Sequence, residues 1–296
     1  MPFDAWLNQA WQDHAGQAAA VAARIGTEGL SLARSDAQAA ALARLAHHVM
    51  GDHLGRWTQG RQLLFHIGTS EPAGPATGTA MRIFDASLAL AGGIEDLRGP
   101  MTASDRVRVG AHAAGALAER DPPRSASLLR EAALEVDTQE LPHQDPACRA
   151  IAINGNDIAA TLGEKPVRTD PERDLMLLAA RLARDFWARA GTWLEVERAE
   201  YRLAISWLKA PDLSAARRHA RKCLDIVREH DAPALEWFFG FEALALVERG
   251  LNNAPAALRA TLDMKSAFDR LEEADQAWCR SSLERLNRLA PAIGER

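Results

Sequence analysis

Apolar residues in this chain return every three or four positions. In "DAQAAALARLAHHVM" the stripe is Leu42, Leu45, Ala46 and Val49. In "PRSASLLREAALEV" it is Leu128, Leu129, Ala132, Ala133 and Val136, and in "SAARRHARKCLDIV" it is Ala216, Ala220, Cys223, Leu224 and Val227. This is the period of one helix face. Val, Ile, Thr, Tyr and Phe never alternate with polar residues over a run, so no strand is predicted. Breakers divide the chain into about thirteen helices of ordinary length. The predicted segments are 3–25, 36–52, 56–67, 78–91, 103–119, 123–136, 146–162, 171–190, 193–209, 213–230, 233–250, 255–271 and 274–289.

Start signals support these segments. Ser35-Asp36 and Thr102-Ala103-Ser104-Asp105 supply side chains that bond free backbone N–H groups. Asp170-Pro171-Glu172 places a cap before a first-turn proline, and Asp231-Ala232-Pro233 is expected to do the same. Most linkers are short, which makes consecutive helices antiparallel neighbours. Two are longer and rich in Pro, Gly and polar residues: 68–78 and 137–146. The reading is one helical repeat domain over 1–296, with a subdivision near 137–146 as the alternative.

Several helix corners share one plan: an apolar helix end, a Gly, Asp or Asn turn, then a helix opening with small residues. "HLGRWTQGRQLL", "ALAERDPPRSASLL", "RAGTWLEVERAE", "SWLKAPDLSAARRHA" and "LVERGLNNAPAALRA" all follow it. Gly or Asn accepts the left-handed helix end, and small residues such as Ala216 and Ala257 let the next helix lie close. These corners resemble the tetratricopeptide (TPR) repeat. The best match is residues 199–224, where Leu203, Ala204, Trp207, Asp212, Ala216, Ala220 and Cys223 stand at that family's packing positions. "LGRWTQG" matches the turn but carries Gly60 where the family usually has Ala. Corners near residues 210 and 250 are about 40 apart, against a usual repeat of about 34. The resemblance covers about half the chain. It implies an all-α fold, a right-handed superhelix (α-solenoid) of antiparallel helix pairs. It also implies a groove that binds proteins or peptides. Stacked helix pairs leave such an extended surface on physical grounds alone.

Composition narrows the function. Hydrophobic residues make up 47% and charged residues 25%, as in ordinary globular proteins. A net charge of −5 argues against general nucleic-acid affinity. No apolar run is long enough to cross a bilayer, and the N-terminus lacks the pattern of a secretory signal. The three cysteines, Cys148, Cys223 and Cys279, are far apart and form no CxxC pair. They suggest a reducing, cytoplasmic setting without a disulfide framework. Of 35 basic residues only Lys165, Lys209, Lys222 and Lys265 are lysine, which reads as a nucleotide-composition bias.

Candidate chemistry is sparse. "HHVMGDH" packs His47, His48, Asp52 and His53 into seven residues. On an α-helical wheel with Leu42 at zero, His47 falls near 140°, His48 near 240°, Asp52 near 280° and His53 near 20°. Three imidazoles pointing three ways cannot close on one ion, and zinc needs three or four convergent ligands. His48 and Asp52 are expected to form an i, i+4 surface pair, and His53 to face the apolar side or the groove. No metal or cofactor is therefore expected.

"SWLK" (206–209) matches the S-x-x-K nucleophile pattern, but near a helix end rather than at an exposed helix start. Residues 236–250 form the most apolar helix. Trp237, Phe238, Phe241, Leu244 and Ala245 fill one face, while Leu235, Phe239 and Leu246 fill much of the other, as in a sandwiched inner helix. Trp237 and Phe241 are also candidate groove anchors. In "RRHARK" Arg217 and Arg221 share a basic face with Arg228, read as a solvated outer stripe. Arg198 and Tyr201 face the groove if the repeat frame holds.

The sequence thus predicts a non-catalytic scaffold for a protein or peptide partner. Its candidate contacts are Arg198, Tyr201, Trp237, Phe241 and His53, and neither nucleic acid nor membrane is expected as a partner. The alternative is a helical small-molecule or metal-binding protein, with hydrolysis as its extreme form, using the His-rich N-terminal helices. Self-association through Leu283, Leu286 and Leu289 of the final helix is a further reading.

Overall fold

A computed structural model describes residues 1–94, 97 and 99–289, the last three by backbone alone. In chain order the elements are α1 (Phe3–Arg24), a π-helical turn (Ile25–Gly29), the single turn α2 (Leu30–Leu32), α3 (Asp36–His47) and a second π-helical segment (His48–His53). There follow α4 (Trp57–Gly68), α5 (Pro75–Ala91), α6 (Ala103–Leu117), α7 (Pro122–Thr138) and α8 (Pro146–Glu164). The chain continues through α9 (Asp170–Ala190), α10 (Trp193–Lys209), α11 (Leu213–Glu229), α12 (Ala234–Gly250), α13 (Ala254–Phe268) and α14 (Glu273–Leu289). No strand occurs among the described residues, and no helix there is long and apolar enough to cross a membrane. Helices of three or more turns occupy all thirteen predicted segments.

Local side-chain chemistry starts most of them. Ser35 Oγ accepts from Gln38 N at 3.3 Å and Thr102 Oγ1 from Asp105 N at 3.2 Å, as expected. Two expected caps fall elsewhere. Thr169, not Asp170, caps α9 through a reciprocal capping box with Glu172. This arrangement satisfies two free donors where an aspartate cap satisfies one. Asp231 caps nothing: it takes a left-handed φ of 44° in the turn, and Pro233 opens α12 without a side-chain cap.

The start of α5 is fixed from a distance. Gly74 N and Thr77 N donate to Asp36 Oδ1, and Ala76 N to Asp36 Oδ2, each at 2.8 Å. The expected loop 68–78 is accordingly shorter, and the helix begins at Pro75. One carboxylate serves the free N–H groups of a helix 40 residues onward and sits at its positive end.

From α6 on, each helix packs on the next and mostly also on the next but one, in a solenoid-like row of neighbouring pairs. The core follows that row in successive clusters. Trp6, Leu42, Leu64 and Ile83 fill the first, and Leu117, Leu129, Leu162 and Met176 the second. Val107 and Val136 join Ile151 and Phe186 across the 137–146 loop. Phe238, Met264, Phe268, Leu283 and Leu286 fill the last, so α14 lies on α12 and α13. The side chain of Leu289 lies outside the described residues. Cys148, Cys223 and Cys279 are buried free thiols.

α12 departs from its expected character. Its buried positions include Glu236, Glu242 and Glu248, while Trp237, Phe241 and Leu244 are only half-buried. Each glutamate meets an arginine of another helix: Arg198 for Glu236, Arg285 for Glu242 and Arg217 for Glu248. A buried carboxylate is tolerable only with such pairing.

Candidate functional site

The histidine-rich stretch does not continue as an α-helix. After His47 the backbone widens into a π-helix, with Leu54 N donating to Val49 O, five residues back, at 3.1 Å. In an α-helix residues five apart diverge by about 140°. The wider π turn instead brings both i+4 and i+5 beside residue i. His48 Nδ1 therefore bonds Asp52 Oδ2 at 2.7 Å, and His53 Nε2 approaches His48 Nε2 to 3.1 Å. This corrects the expectation that the imidazoles point apart, which assumed one constant angle per residue. The pair of His48 and Asp52 exists as expected, but it lines a pocket rather than an outer surface.

Packing holds the widened segment. Gly51 is buried against Leu88, and a Cβ there would stand 2.8 Å from Leu88 Cδ2. Arg120 reaches back to donate to the carbonyls of Asp52 and His53, each at 2.8 Å. Gly55 follows with a φ of +60° and packs under the Arg120 guanidinium, a close approach that only glycine permits.

α1 supplies a third imidazole. His14 Nδ1 donates to Trp11 O at 2.5 Å, and the ring meets His48 and His53 at centroid distances of 5.0 and 4.8 Å. One ring nitrogen from each of His14, His48 and His53 lies within 4.8 Å of the other two. Trp11 packs on both His14 and His48.

Two more histidines lie deeper. His47 bonds Ser87 Oγ at 2.8 Å and stacks on Phe84. His112 sits edge-on to both rings and lies 3.3 Å from Asn154 Nδ2. All five imidazoles border one cavity of about 420 Å³, with Arg44 and Phe84 from α3 and α5 and with Asn154, Asp157, Thr161 and Glu164 from α8. Asp52 Oδ1 is buried and has no hydrogen-bond partner among the described residues.

Burial sets the charges. It pushes His47 down to about 4 and His112 to about 3, the latter with help from His47. His53 falls to about 4 through burial and the neighbouring His48 and His14. Burial also lowers His14, against the Trp11 hydrogen bond. On His48 burial acts downward too, but the Asp52 hydrogen bond and charge outweigh it and raise the group. Burial acts upward on Asp52, yet the His48 hydrogen bond and the surrounding imidazoles hold it below its usual range. Burial raises Asp157. Near neutral pH the pocket therefore presents uncharged imidazoles with lone pairs, beside one His48–Asp52 pair. Such a concentration of shifted groups in one cleft marks a candidate working site.

Of the residues singled out in the sequence, His47, His48, Asp52 and the candidate contact His53 belong to this pocket. Arg198, Tyr201, Trp237 and Phe241 lie elsewhere. Arg198 makes a two-pronged pair with Glu236, at 2.6 and 3.2 Å. The Tyr201 hydroxyl donates to Glu242 Oε2 at 2.9 Å, and burial raises it. Trp237 and Phe241 stack on each other at 5.5 Å. Ser206 is buried at 1% exposure, so the "SWLK" serine is closed to substrate. Arg217 serves Glu248, and Arg228 serves Asp225. His14, His112, Asn154 and Asp157 were not legible as site residues. The available signal was polarity out of place: a lone His112 among alanines, and the polar run 154–157 inside a helix.

No family model, no curated protein and no solved structure matches the chain.

Proposed function

We propose that the protein is a binding protein that works through the pocket between α1, α3, α5, α6 and α8, and that its ligand is a small polar molecule. The carrying observation is the convergence of five imidazoles, three acidic groups, Arg44 and Asn154 with two aromatic faces on one 420 Å³ cavity. That size and mixture suit a small ligand, with apolar walls for affinity and a few polar groups for orientation. Screening small polar compounds by ligand-observed NMR tests the reading. Hits are expected to lose binding in Asn154→Leu and Arg44→Ala while both variants stay folded. Hits indifferent to both substitutions overturn it.

A second reading keeps the peptide-binding scaffold. Arg44, Phe84, His112, Ile153 and Asn154 also border an adjoining cavity of about 330 Å³, where Arg108 and Arg149 join them. A continuous groove with three arginines fits an extended acidic peptide. Charge reversal by Arg108→Glu with Arg149→Glu is expected to abolish acidic-peptide binding on an array. Small-ligand binding that survives the same change favours the first reading.

A further inference from the structure

We propose that His14, His48 and His53 bind one divalent transition-metal ion of the zinc class through three imidazole nitrogens, with a fourth position open to the pocket. The inference goes beyond the ligand-binding reading and is tested with the ion alone.

Geometry is the first support. Two nitrogens on a tetrahedral ion with bonds of about 2.0–2.1 Å stand roughly 3.3 Å apart. The Nε2 atoms of His48 and His53 are already 3.1 Å apart. The third ring offers a nitrogen within 4.8 Å of both, a gap that small side-chain rotations close.

The hydrogen bonds behind the rings are the second support. Metal-binding histidines characteristically give their other N–H to a carboxylate or a backbone carbonyl, which fixes ring and tautomer. His48 gives Nδ1–H to Asp52, and His14 gives Nδ1–H to Trp11 O. Both arrangements leave Nε2 as the atom that faces an ion. When no ion intervenes, the Nε2 atoms of His48 and His53 share one proton across their 3.1 Å contact; metal binding releases that proton to solvent, and both lone pairs turn to the ion. The Asp52 and Asp157 carboxyl groups border the same cavity, where they favour a cation over a neutral guest.

The donor set selects the ion. Three imidazoles without thiolate suit zinc, cobalt, nickel or copper(II), while magnesium and calcium take oxygen. Three protein ligands leave one coordination position, and here it opens onto the 420 Å³ cavity. A pocket ligand carrying a carboxylate or another donor group would complete the sphere.

The test uses the full chain, stripped with a chelator and titrated by calorimetry with zinc(II), cobalt(II) and magnesium(II). Wild type is expected to take one zinc per chain at micromolar concentration, and no magnesium. His14→Gln, His48→Gln and His53→Gln are each expected to weaken zinc binding at least about tenfold, and Asp52→Asn about 10–100-fold. His143→Gln, at an exposed position, should match wild type. Cobalt should give the intense visible spectrum of a tetrahedral site, lost in His53→Gln. Circular dichroism checks each fold; should His48→Gln lose helix, the half-buried His53 carries the comparison. No stoichiometric uptake by the folded wild type overturns the proposal, as does uptake that all three glutamine variants retain. Zinc uptake combined with a small-compound screen that yields no hits would leave this site standing while the small-ligand reading fails.

Discussion

His53 Nε2 stands 3.1 Å from His48 Nε2 because the chain between them is π-helical. The same six residues wound as an α-helix would put the two rings on different faces. The pocket's chemistry therefore depends on a backbone irregularity, and the contacts that hold the irregularity can be tested.

Gly51→Ala is the first test. The added Cβ meets buried Leu88 at 2.8 Å, so overpacking should cost about 1–3 kcal/mol by urea denaturation. Leu88→Ala in the same chain should recover part of that loss, giving a non-zero coupling in the double-mutant cycle. Strict additivity would mean that Leu88 is not what Gly51 accommodates.

Arg120→Ala removes two charge-assisted hydrogen bonds to the carbonyls of Asp52 and His53. Global stability should fall by about 1–3 kcal/mol. The local effect should be more diagnostic: amide exchange at Leu54, Gly55 and Arg56 accelerates more than in α9 or α10. Uniform exchange rates along the chain would contradict a clamping role.

Asp36→Ala should unfasten the start of α5. The Thr77 hydroxyl and three backbone N–H donors hold the Asp36 carboxyl at about 2, below the usual carboxylate range. A depressed carboxyl stabilises the fold above its unfolded value, and that stabilisation is lost as pH falls toward 2. The wild type should therefore show faster protease cleavage within 68–78 as pH drops below about 4. Asp36→Ala should be cut rapidly at every pH, and equal cleavage of both proteins at pH 7 would refute the cap.

Glu197 carries the opposite sign. Burial, helped by the nearby Glu236, pushes it up to about 8 against the Cys223 thiol, which donates to it at 2.8 Å. An acid that stays protonated in the folded state loses ground as pH rises, because the unfolded chain ionises first. Stability should decline between about 4.5 and 8 and then level off. Glu197→Gln should have a higher melting temperature than wild type at pH 8.5 and a similar one at pH 4.5. Parallel pH profiles would show that Glu197 is ionised throughout.

The helices were legible because they depend on local periodicity, as in Leu42–Leu45–Val49 or Ala216–Ala220–Cys223. The caps of α3 and α6 were legible for the same reason: Ser35 and Thr102 act within three residues. What escaped depends on distance or on a change of helix type. Nothing near Pro75 announces that Asp36 will serve its N–H groups. A wheel of constant step separates His48 from His53, and no local pattern brings His14 to them. On α12 the eye follows Trp237 and Phe241, whereas Glu236, Glu242 and Glu248, six residues apart, were the informative positions. Charged groups at regular intervals in an otherwise apolar helix signalled ion pairs, and those pairs absorbed Arg198 and Tyr201.

The three glutamates of α12 draw their counter-charges from three other helices: Arg198 on α10, Arg217 on α11 and Arg285 on α14. Two of those arginines precede α12 in the chain, and one follows it. During synthesis Glu236 and Glu248 can be neutralised as soon as α12 emerges, whereas Glu242 has only the Tyr201 hydroxyl until α14 leaves the ribosome. The last helix therefore does more than cover apolar surface: it carries the counter-charge for a glutamate of the helix beneath it.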